Sequence, residues 1–200
     1  MNQHRFINAT VASAAEICSR FLLKNEVRPL LCDHMGTTEF VGVLLANKQY
    51  VTGIDFLAHA LQVREAVWWG CLCVHHACGD SLSPLERKAC IATVQWVLEP
   101  TEKNRAATRA PAEAAAPASP TAQLAMAVIQ AGENLVPSNP PPVAPAPFAP
   151  AKAVAKAVKL VSTRADPVRT VDTYRLFLEL GIGVAEDRFV WPKVRRGLRS

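Results

Sequence analysis

The 200-residue chain has no long hydrophobic run. Its longest apolar stretch lies near residues 66–74 and includes Gly70, well below the roughly 20 residues that a membrane-spanning helix needs. Met1-Asn2-Gln3-His4-Arg5 is not followed by the apolar region of a secretory signal peptide. We therefore expect a soluble, cytoplasmic protein without membrane insertion, whose six cysteines are reduced.

The sequence also lacks the patterns that most catalytic sites require. Gly181-Ile182-Gly183 has no third glycine and follows a predicted helix rather than a strand, so no phosphate-binding loop is present. Glu186 and Asp187 stand beside Arg188, as surface charges commonly do. Cysteine and histidine occur close together in residues 71–78, whereas a catalytic pair normally comes from distant parts of a chain and has a third orienting group. We expect a protein that is not an enzyme, with no catalytic and no cofactor-binding residue.

Cys71, His75 and Cys78 are the cluster whose residue types most resemble a metal site. On a helix they lie at i, i+4 and i+7, zinc accepts thiolate and imidazole, and Cys90 or Cys32 is the candidate fourth ligand. The spacing matches no standard zinc finger, and it lacks the Cys-x-x-Cys-His order of covalent haem sites. Because free cysteines are commonly buried as small apolar residues, we expect no metal. A Cys/His metal-binding sensor is kept as a third alternative for function.

Aromatic residues make up only 6% of the chain, and alternating runs of β-branched residues are nearly absent. Alanine is abundant, which favours closely packed helices, so we predict an all-α fold. Ile54, Leu57 and Leu61 recur at helical spacing, and residues 40–45 form a similar stripe. The short polar link 47–49 joins these two helices as a hairpin.

Cap residues and apolar periodicity predict the other helices. Ser83 caps one of them and forms a capping box with Glu86. Pro111 is predicted to end a helix, and residues 181–183 to end the last one. The predicted ranges are 8–24, 64–78, 83–98, 101–111, 119–132, 151–162 and 168–180.

The Pro-rich segment 137–150 contains seven prolines in fourteen residues. Such a composition favours polyproline II structure and a semi-rigid spacer. We predict that it crosses the surface and delivers the last two helices to the same unit. The predicted organisation is a single helical domain over residues 1–188 and a basic C-terminal tail over 189–200.

The net charge of +5 is distributed unevenly. Residues 1–99 carry eight Lys/Arg and nine Asp/Glu, whereas residues 100–200 carry fourteen and eight. The basic residues near the C-terminus are Arg188, Lys193, Arg195, Arg196 and Arg199. A basic tail can bind nucleic acid, anionic lipid or an acidic partner. A nucleic-acid-associated accessory protein that uses this tail is therefore our second alternative.

Trp68 and Trp69 are adjacent on the predicted helix 64–78. Neighbouring helical positions are about 100° apart, so the two rings face different neighbours. We predict that Trp68 is the deeper ring and that this helix is the centre of stability. A partly exposed tryptophan would be a candidate anchor for a partner. The predicted buried stripe of this helix is Val67, Cys71, Val74 and Cys78.

The segment 50–61 resembles the second half of a tetratricopeptide repeat. Tyr50 stands at the position of its turn aromatic, and Gly53 and Ala60 stand at its small packing positions. Lys48 departs from the repeat, which usually has glycine there, and the closing proline is missing. The resemblance covers one repeat and implies stacked helical hairpins, as in tetratricopeptide and α-solenoid proteins.

A wider resemblance covers residues 40–187. The segments FLAHAL, REAVWWGCLC, WVLEPTEKNR and SPTAQLAMAV, with the Pro-rich stretch, resemble an uncharacterised family of bacterial helical proteins. That resemblance implies a helical fold, no established activity, and a location near secretion-system genes. We therefore expect a scaffold, adaptor or chaperone-like module that binds another protein. The biological system that we expect first is a bacterial secretion system.

Overall fold

The regular elements of the protein are helical. A computed structural model describes residues 6–9, 13–132, 146–165 and 168–192. In these residues, extended pairing is limited to two isolated bridges, Ala9 with Leu61 and Ser13 with Gly36. The helices are α1 Ala14–Cys18, α2 Thr37–Ala46, α3 Tyr50–Ala60, α4 Val63–Cys78, α5 Pro84–Leu98, α6 Glu102–Ala107, α7 Arg109–Ala114, α8 Pro120–Gln130, α9 Ala149–Ala165 and α10 Thr170–Ala185. The predicted all-α fold is confirmed.

The hairpin predicted from the periodicity is formed by α2 and α3. Phe40 of α2 and Phe56 of α3 are both buried, with ring centroids 5.0 Å apart in an edge-to-face arrangement. In the turn, Lys48 adopts a φ of 56°, the left-handed conformation that favours glycine. Gly53 packs closely, but against Leu178 of α10, whose Cδ2 atom would lie 2.5 Å from an added Cβ.

Helix α9 lies in the middle of the core. It packs against α3, α4, α8 and α10, and its buried residues include Val154, Val158 and Val161. Lys159 Nζ donates to Asp55 Oδ1 of α3 at 2.6 Å. In a solenoid each repeat contacts only its neighbours. Stacking of that kind is not confirmed, because helices from the end of the chain pack on those from its first half.

The predicted first helix, 8–24, is wrong in its extent. Among the described residues of that range only α1 is helical, and the Ser13 hydroxyl caps it by accepting from the Glu16 amide. Asn8 bonds to other elements, since its carbonyl accepts from the Gln62 amide at 3.1 Å. Leu22, within the predicted range but beyond α1, is 89% exposed. Backbone bonds to distant segments here replace the bonds of a longer helix.

The predicted helix end at Pro111 is also wrong. The helical path breaks at Thr108, between α6 and α7. Pro111 is the third residue of α7, where an amide has no partner within its own helix, so proline costs no hydrogen bond. The helix therefore continues past Pro111 to Ala114.

The predicted end of the last helix at residues 181–183 is wrong as well. Helix α10 continues through both glycines to Ala185. A Cβ at Gly181 would lie 2.6 Å from Leu57 Cδ2 and 2.6 Å from Trp69 Cε2. Glycine costs a helix only about 1 kcal/mol relative to alanine. The residue therefore permits close packing of α10 against α3 and α4 rather than ending the helix.

Other predicted boundaries agree with the structure. Ser83 and Glu86 form the predicted capping box at the start of α5, and Ser119 caps α8. Helix α9 begins at Ala149, inside the predicted linker 137–150, most of which lies outside the described residues. Across the parts of the chain that are described, no helix is long and apolar enough to cross a membrane.

Candidate functional site

The structure does not bring the candidate metal ligands together on one side of α4. Cys71 and Cys78 are buried, whereas His75 is exposed and Cys32 lies exposed in an earlier loop. Within the described residues, no group of three or more His, Cys, Asp or Glu side chains is placed to hold a metal ion. Cys71 and Cys78 therefore face the core, whereas His75, at helical spacing from them, faces solvent.

Cys71 and Cys90 do meet, across the contact between α4 and α5. The interaction with the Cys90 thiol, together with burial, raises the pKa of Cys71 well above its usual value. The same interaction, aided by the nearby charge of Arg87, lowers the pKa of Cys90. Burial also raises the pKa of Cys78. The buried thiols of α4 are thus held in their neutral form, the state expected of apolar packing residues.

The two tryptophans have the opposite burial to the one predicted. Trp69 is the deeper ring: it is 0% exposed, and its Nε1 donates to the Phe177 carbonyl of α10 at 2.7 Å. Trp68 is half-buried and donates to the Phe189 carbonyl at 2.9 Å. The sequence did not show that α10 packs on the Trp69 side of α4. The predicted stripe of Val67, Cys71, Val74 and Cys78 is buried.

The chain beyond α10 returns to α4. The Arg64 guanidinium lies 4.1 Å from the centroid of the Trp191 ring. Arg64 also donates to the Val97 carbonyl at 2.7 Å, close to the end of α5. Sequence reasoning placed Phe189 and Trp191 in a basic tail, and their aromatic character was the signal that they pack. The basic residues Lys193, Arg195, Arg196 and Arg199 lie outside the described residues.

A groove of about 470 Å³ lies along α10, and we name it the α10 groove. It runs between α10, the end of α2 and the segment that follows α10. Its walls are formed by Leu45, Leu176, Glu179, Leu180, Ile182, Arg188 and Phe189. Leu176 and Phe189 are 37% and 40% exposed, so the groove presents apolar surface to solvent.

The two charged groups of the α10 groove are both paired at its rim. Glu179 accepts from Arg175 Nε at 2.9 Å, and Arg188 Nε donates to Glu186 at 2.5 Å. The groove thus combines an apolar floor with one residue of each charge. Sequence reasoning missed it because the groove combines α10 with Leu45, a residue distant in sequence. Leu176 and Leu180 on α10 were the available signal.

The comparisons concern the part of the chain that builds this groove. The model of a family of unknown function (DUF6931) matches residues 40–185. The chain belongs to this family. The DUF6931 match begins in α2 and ends at the last residue of α10, so it includes most of the α10 groove. The resemblance to an uncharacterised family over residues 40–187 is confirmed, whereas the resemblance to a tetratricopeptide repeat is not shown. Searches of curated proteins and of solved structures find no match.

Proposed function

We propose that this DUF6931 protein is a non-enzymatic scaffold or adaptor that binds a partner protein in the α10 groove. The observation that carries the proposal is the exposed apolar surface of α10 within a concave site. Helix α10 buries Phe177 and Leu178 in the core while Leu176 faces the groove. Solvent-exposed apolar surface that is concave and rimmed by polar groups is typical of protein-binding sites.

The occupant that we propose is an amphipathic helix of the partner. A groove of about 470 Å³ bordered by one side of a helix suits the apolar face of a second helix. Glu179 lies on α10, and Arg188 lies on the segment beyond it, so the charges come from different walls. A partner helix with a basic residue toward Glu179 and an acidic residue toward Arg188 would gain a fixed orientation. The setting that we propose first is a bacterial secretion system in the cytoplasm.

The test replaces two exposed aliphatic residues with aspartate, one inside the groove and one outside it. Leu176→Asp places a charge in the α10 groove, and Ile91→Asp places one on α5, where Ile91 is 54% exposed. Partners are captured on the immobilised full chain from the native host and identified by mass spectrometry, and each is then purified and assayed alone. We expect Leu176→Asp to weaken direct binding at least tenfold, and Ile91→Asp to leave it unchanged.

A photo-crosslinking amino acid at position 176, with position 91 as control, identifies the occupant. The crosslinked partner peptide should be an amphipathic helix. Unfolding midpoints equal to those of the wild type would show that both variants remain folded. Equal binding by the two variants would contradict the proposed groove, and crosslinks to an extended or nucleic-acid ligand would contradict the proposed occupant.

A further inference from the structure

A second, smaller pocket shares no lining residue with the α10 groove. Its volume is about 140 Å³, and we name it the His59 pocket. It is bounded by the loop after α1, by the end of α3, by the first turn of α4 and by the start of α9. Its walls include Arg20, Ala58, His59, Val63, Phe148 and Ala151.

His59 is a polar side chain of this pocket with one ring nitrogen that has no partner among the described residues. The residue is 3% exposed, and its Nδ1 lies 2.7 Å from the Asp55 carbonyl. Because a carbonyl only accepts, Nδ1 carries the proton, and Nε2 of the neutral ring is an acceptor. Nε2 is buried and has no hydrogen-bond partner in the described part of the chain. Buried polar atoms are seldom left without a partner, so Nε2 needs a donor that the described residues do not supply.

Burial of the imidazole favours its neutral form. Burial lowers the pKa of His59 below its usual 6.5, and the positive charges of Lys152 and Arg20 lower it further. The Asp55 carbonyl and carboxylate act in the opposite direction without reversing the shift. Asp55 is itself paired with Lys159. A neutral ring accepts a hydrogen bond at Nε2 and cannot donate one there to an anion.

The remaining walls are apolar or already engaged. Arg20 donates through Nη1 to the His59 carbonyl and through Nη2 to Glu16, both at 3.1 Å. Its guanidinium lies 5.0 Å from the centroid of the Phe148 ring, which meets the imidazole edge-on at 6.2 Å. Phe148 has a φ of 59°, a conformation that is an outlier for an aromatic residue. Such strain tends to occur at ligand sites, where contacts hold the residue in place.

We propose that the His59 pocket binds a small, largely apolar molecule with one hydroxyl group that donates to His59 Nε2. An apolar cavity of about 150 Å³ accommodates benzene, so a ligand of the size of a phenol fits the volume. An anion would require a proton on Nε2, and burial of the ring opposes that protonation. Ordered water needs two to four polar partners, and the mostly apolar walls offer few beyond Nε2.

The probes are phenol and toluene, which have nearly the same shape but differ in a hydroxyl and a methyl group. Binding to the full chain is followed by titration and by the ¹⁵N signals of the histidine rings. We expect phenol to bind about tenfold more tightly than toluene, since one buried hydrogen bond supplies a ratio of that order. Phenol should also shift the His59 Nε2 signal, and toluene should leave it unchanged.

Two variants locate the binding. His59→Leu should abolish the preference for phenol while toluene still binds, and His59→Gln, which retains an acceptor, should restore part of it. Leu176→Asp, in the α10 groove, should change neither affinity, which separates this site from the proposed protein-binding groove. If His59→Leu does not fold, the ring signals of the wild type still decide the question.

Three outcomes would overturn the proposal. Equal affinity for phenol and toluene would show that Nε2 does not recognise a donor. Tighter binding of benzoate than of phenol would identify an anion site. Absence of binding by all three probes, with an unchanged His59 signal, would show that the pocket holds water alone.

Discussion

Trp68 and Trp69 are chemically identical neighbours, and their different environments come from the elements that pack around α4. Trp69 faces α10, where the Phe177 carbonyl accepts its Nε1 proton and Gly181 leaves room for its ring. Trp68 faces the segment beyond α10 and keeps part of its surface in solvent. Removing a ring that is enclosed on all sides costs the protein more stability than removing a ring at the edge of the core.

Replacing Trp69 by alanine should therefore destabilise the protein far more than replacing Trp68. For Trp69→Ala we expect a loss of roughly 3–5 kcal/mol in the free energy of unfolding, from lost burial and a residual cavity. For Trp68→Ala we expect roughly 1–2 kcal/mol, because only part of its apolar area is covered. Urea denaturation monitored by circular dichroism measures both, and equal losses would contradict the assignment.

Gly181 and Gly42 allow the same substitution to be compared in two helical settings. An added Cβ at Gly181 would lie 2.6 Å from both Leu57 Cδ2 and Trp69 Cε2, whereas nothing lies within 4 Å of one at Gly42. Gly181→Ala should cost about 1–3 kcal/mol through overpacking. Gly42→Ala should stabilise α2 by about 0.5–1 kcal/mol, since alanine is the better helix former. Thermal unfolding of the two variants should shift the midpoint in opposite directions, and a stabilised Gly181→Ala would show that α10 does not pack as closely as described.

At the scale of the helix, α5 shows how a local signal becomes a long-range contact. Ser83 and Glu86 form the capping box that the sequence predicts. The carboxylate of Glu86 also pairs with Arg164 near the end of α9. Burial tends to raise the pKa of Glu86, but the hydrogen bonds from Arg164 and Ser83 outweigh it, and the pKa is lowered from 4.5. The charged form of Glu86 thus stabilises both a helix terminus and the contact between α5 and α9.

The lowered pKa of Glu86 predicts how the stability of the protein changes with pH. Because the pKa of Glu86 is lower in the folded protein than in the unfolded chain, its stabilising effect is complete above about pH 4.5 and is lost as the pH falls through the folded value. Glu86→Gln should lower stability at pH 6 and reduce the loss of stability between pH 5 and pH 3. Glu113→Gln, at an exposed position in α7, is the control and should leave that slope unchanged. Urea midpoints of wild type and both variants across this pH range provide the measurement. If the midpoint of Glu86→Gln falls with pH as steeply as that of the wild type, the prediction is wrong.

The helix boundaries that the sequence predicted correctly depend on local chemistry. Ser83, Ser119 and the apolar spacing of α3 act within one or two turns, so their effect is visible in the sequence alone. The boundaries that were wrong depend on packing. The missing side chain of Gly181 lets α10 pack closely on Trp69 and Leu57, and the Asn8 carbonyl accepts from the amide of Gln62, a residue distant in sequence.

The candidate sites follow the same division. The buried stripe of α4 was predictable from helical spacing, but the depth of Trp69 depended on the position of α10. The α10 groove and the His59 pocket were not predicted, because each is built from segments that are distant in sequence. Phe148 and His59, for example, meet only because α9 begins beside the end of α3.

At the scale of the whole molecule, the central position of α9 determines how the chain closes. Residues 14–130 supply α1 to α8, but the inner faces of α3, α4 and α8 are covered by α9, and α10 covers Trp69. A linear stack of hairpins would retain most contacts of its first units if its last helices were removed. In this protein the same removal would expose the core of the remaining part to solvent.

A fragment of residues 1–132 therefore distinguishes the two architectures. We expect it to lose cooperative unfolding and to show red-shifted tryptophan fluorescence, because Trp69 loses its acceptor on Phe177 and its packing against Gly181. Urea denaturation followed by fluorescence and circular dichroism provides the measurement, with the full chain as reference. Addition of a second fragment, residues 146–192, should restore a blue-shifted spectrum and a cooperative transition, since it supplies α9 and α10. If fragment 1–132 alone unfolds cooperatively near the midpoint of the full chain, the early hairpins stand on their own and the solenoid-like interpretation holds after all.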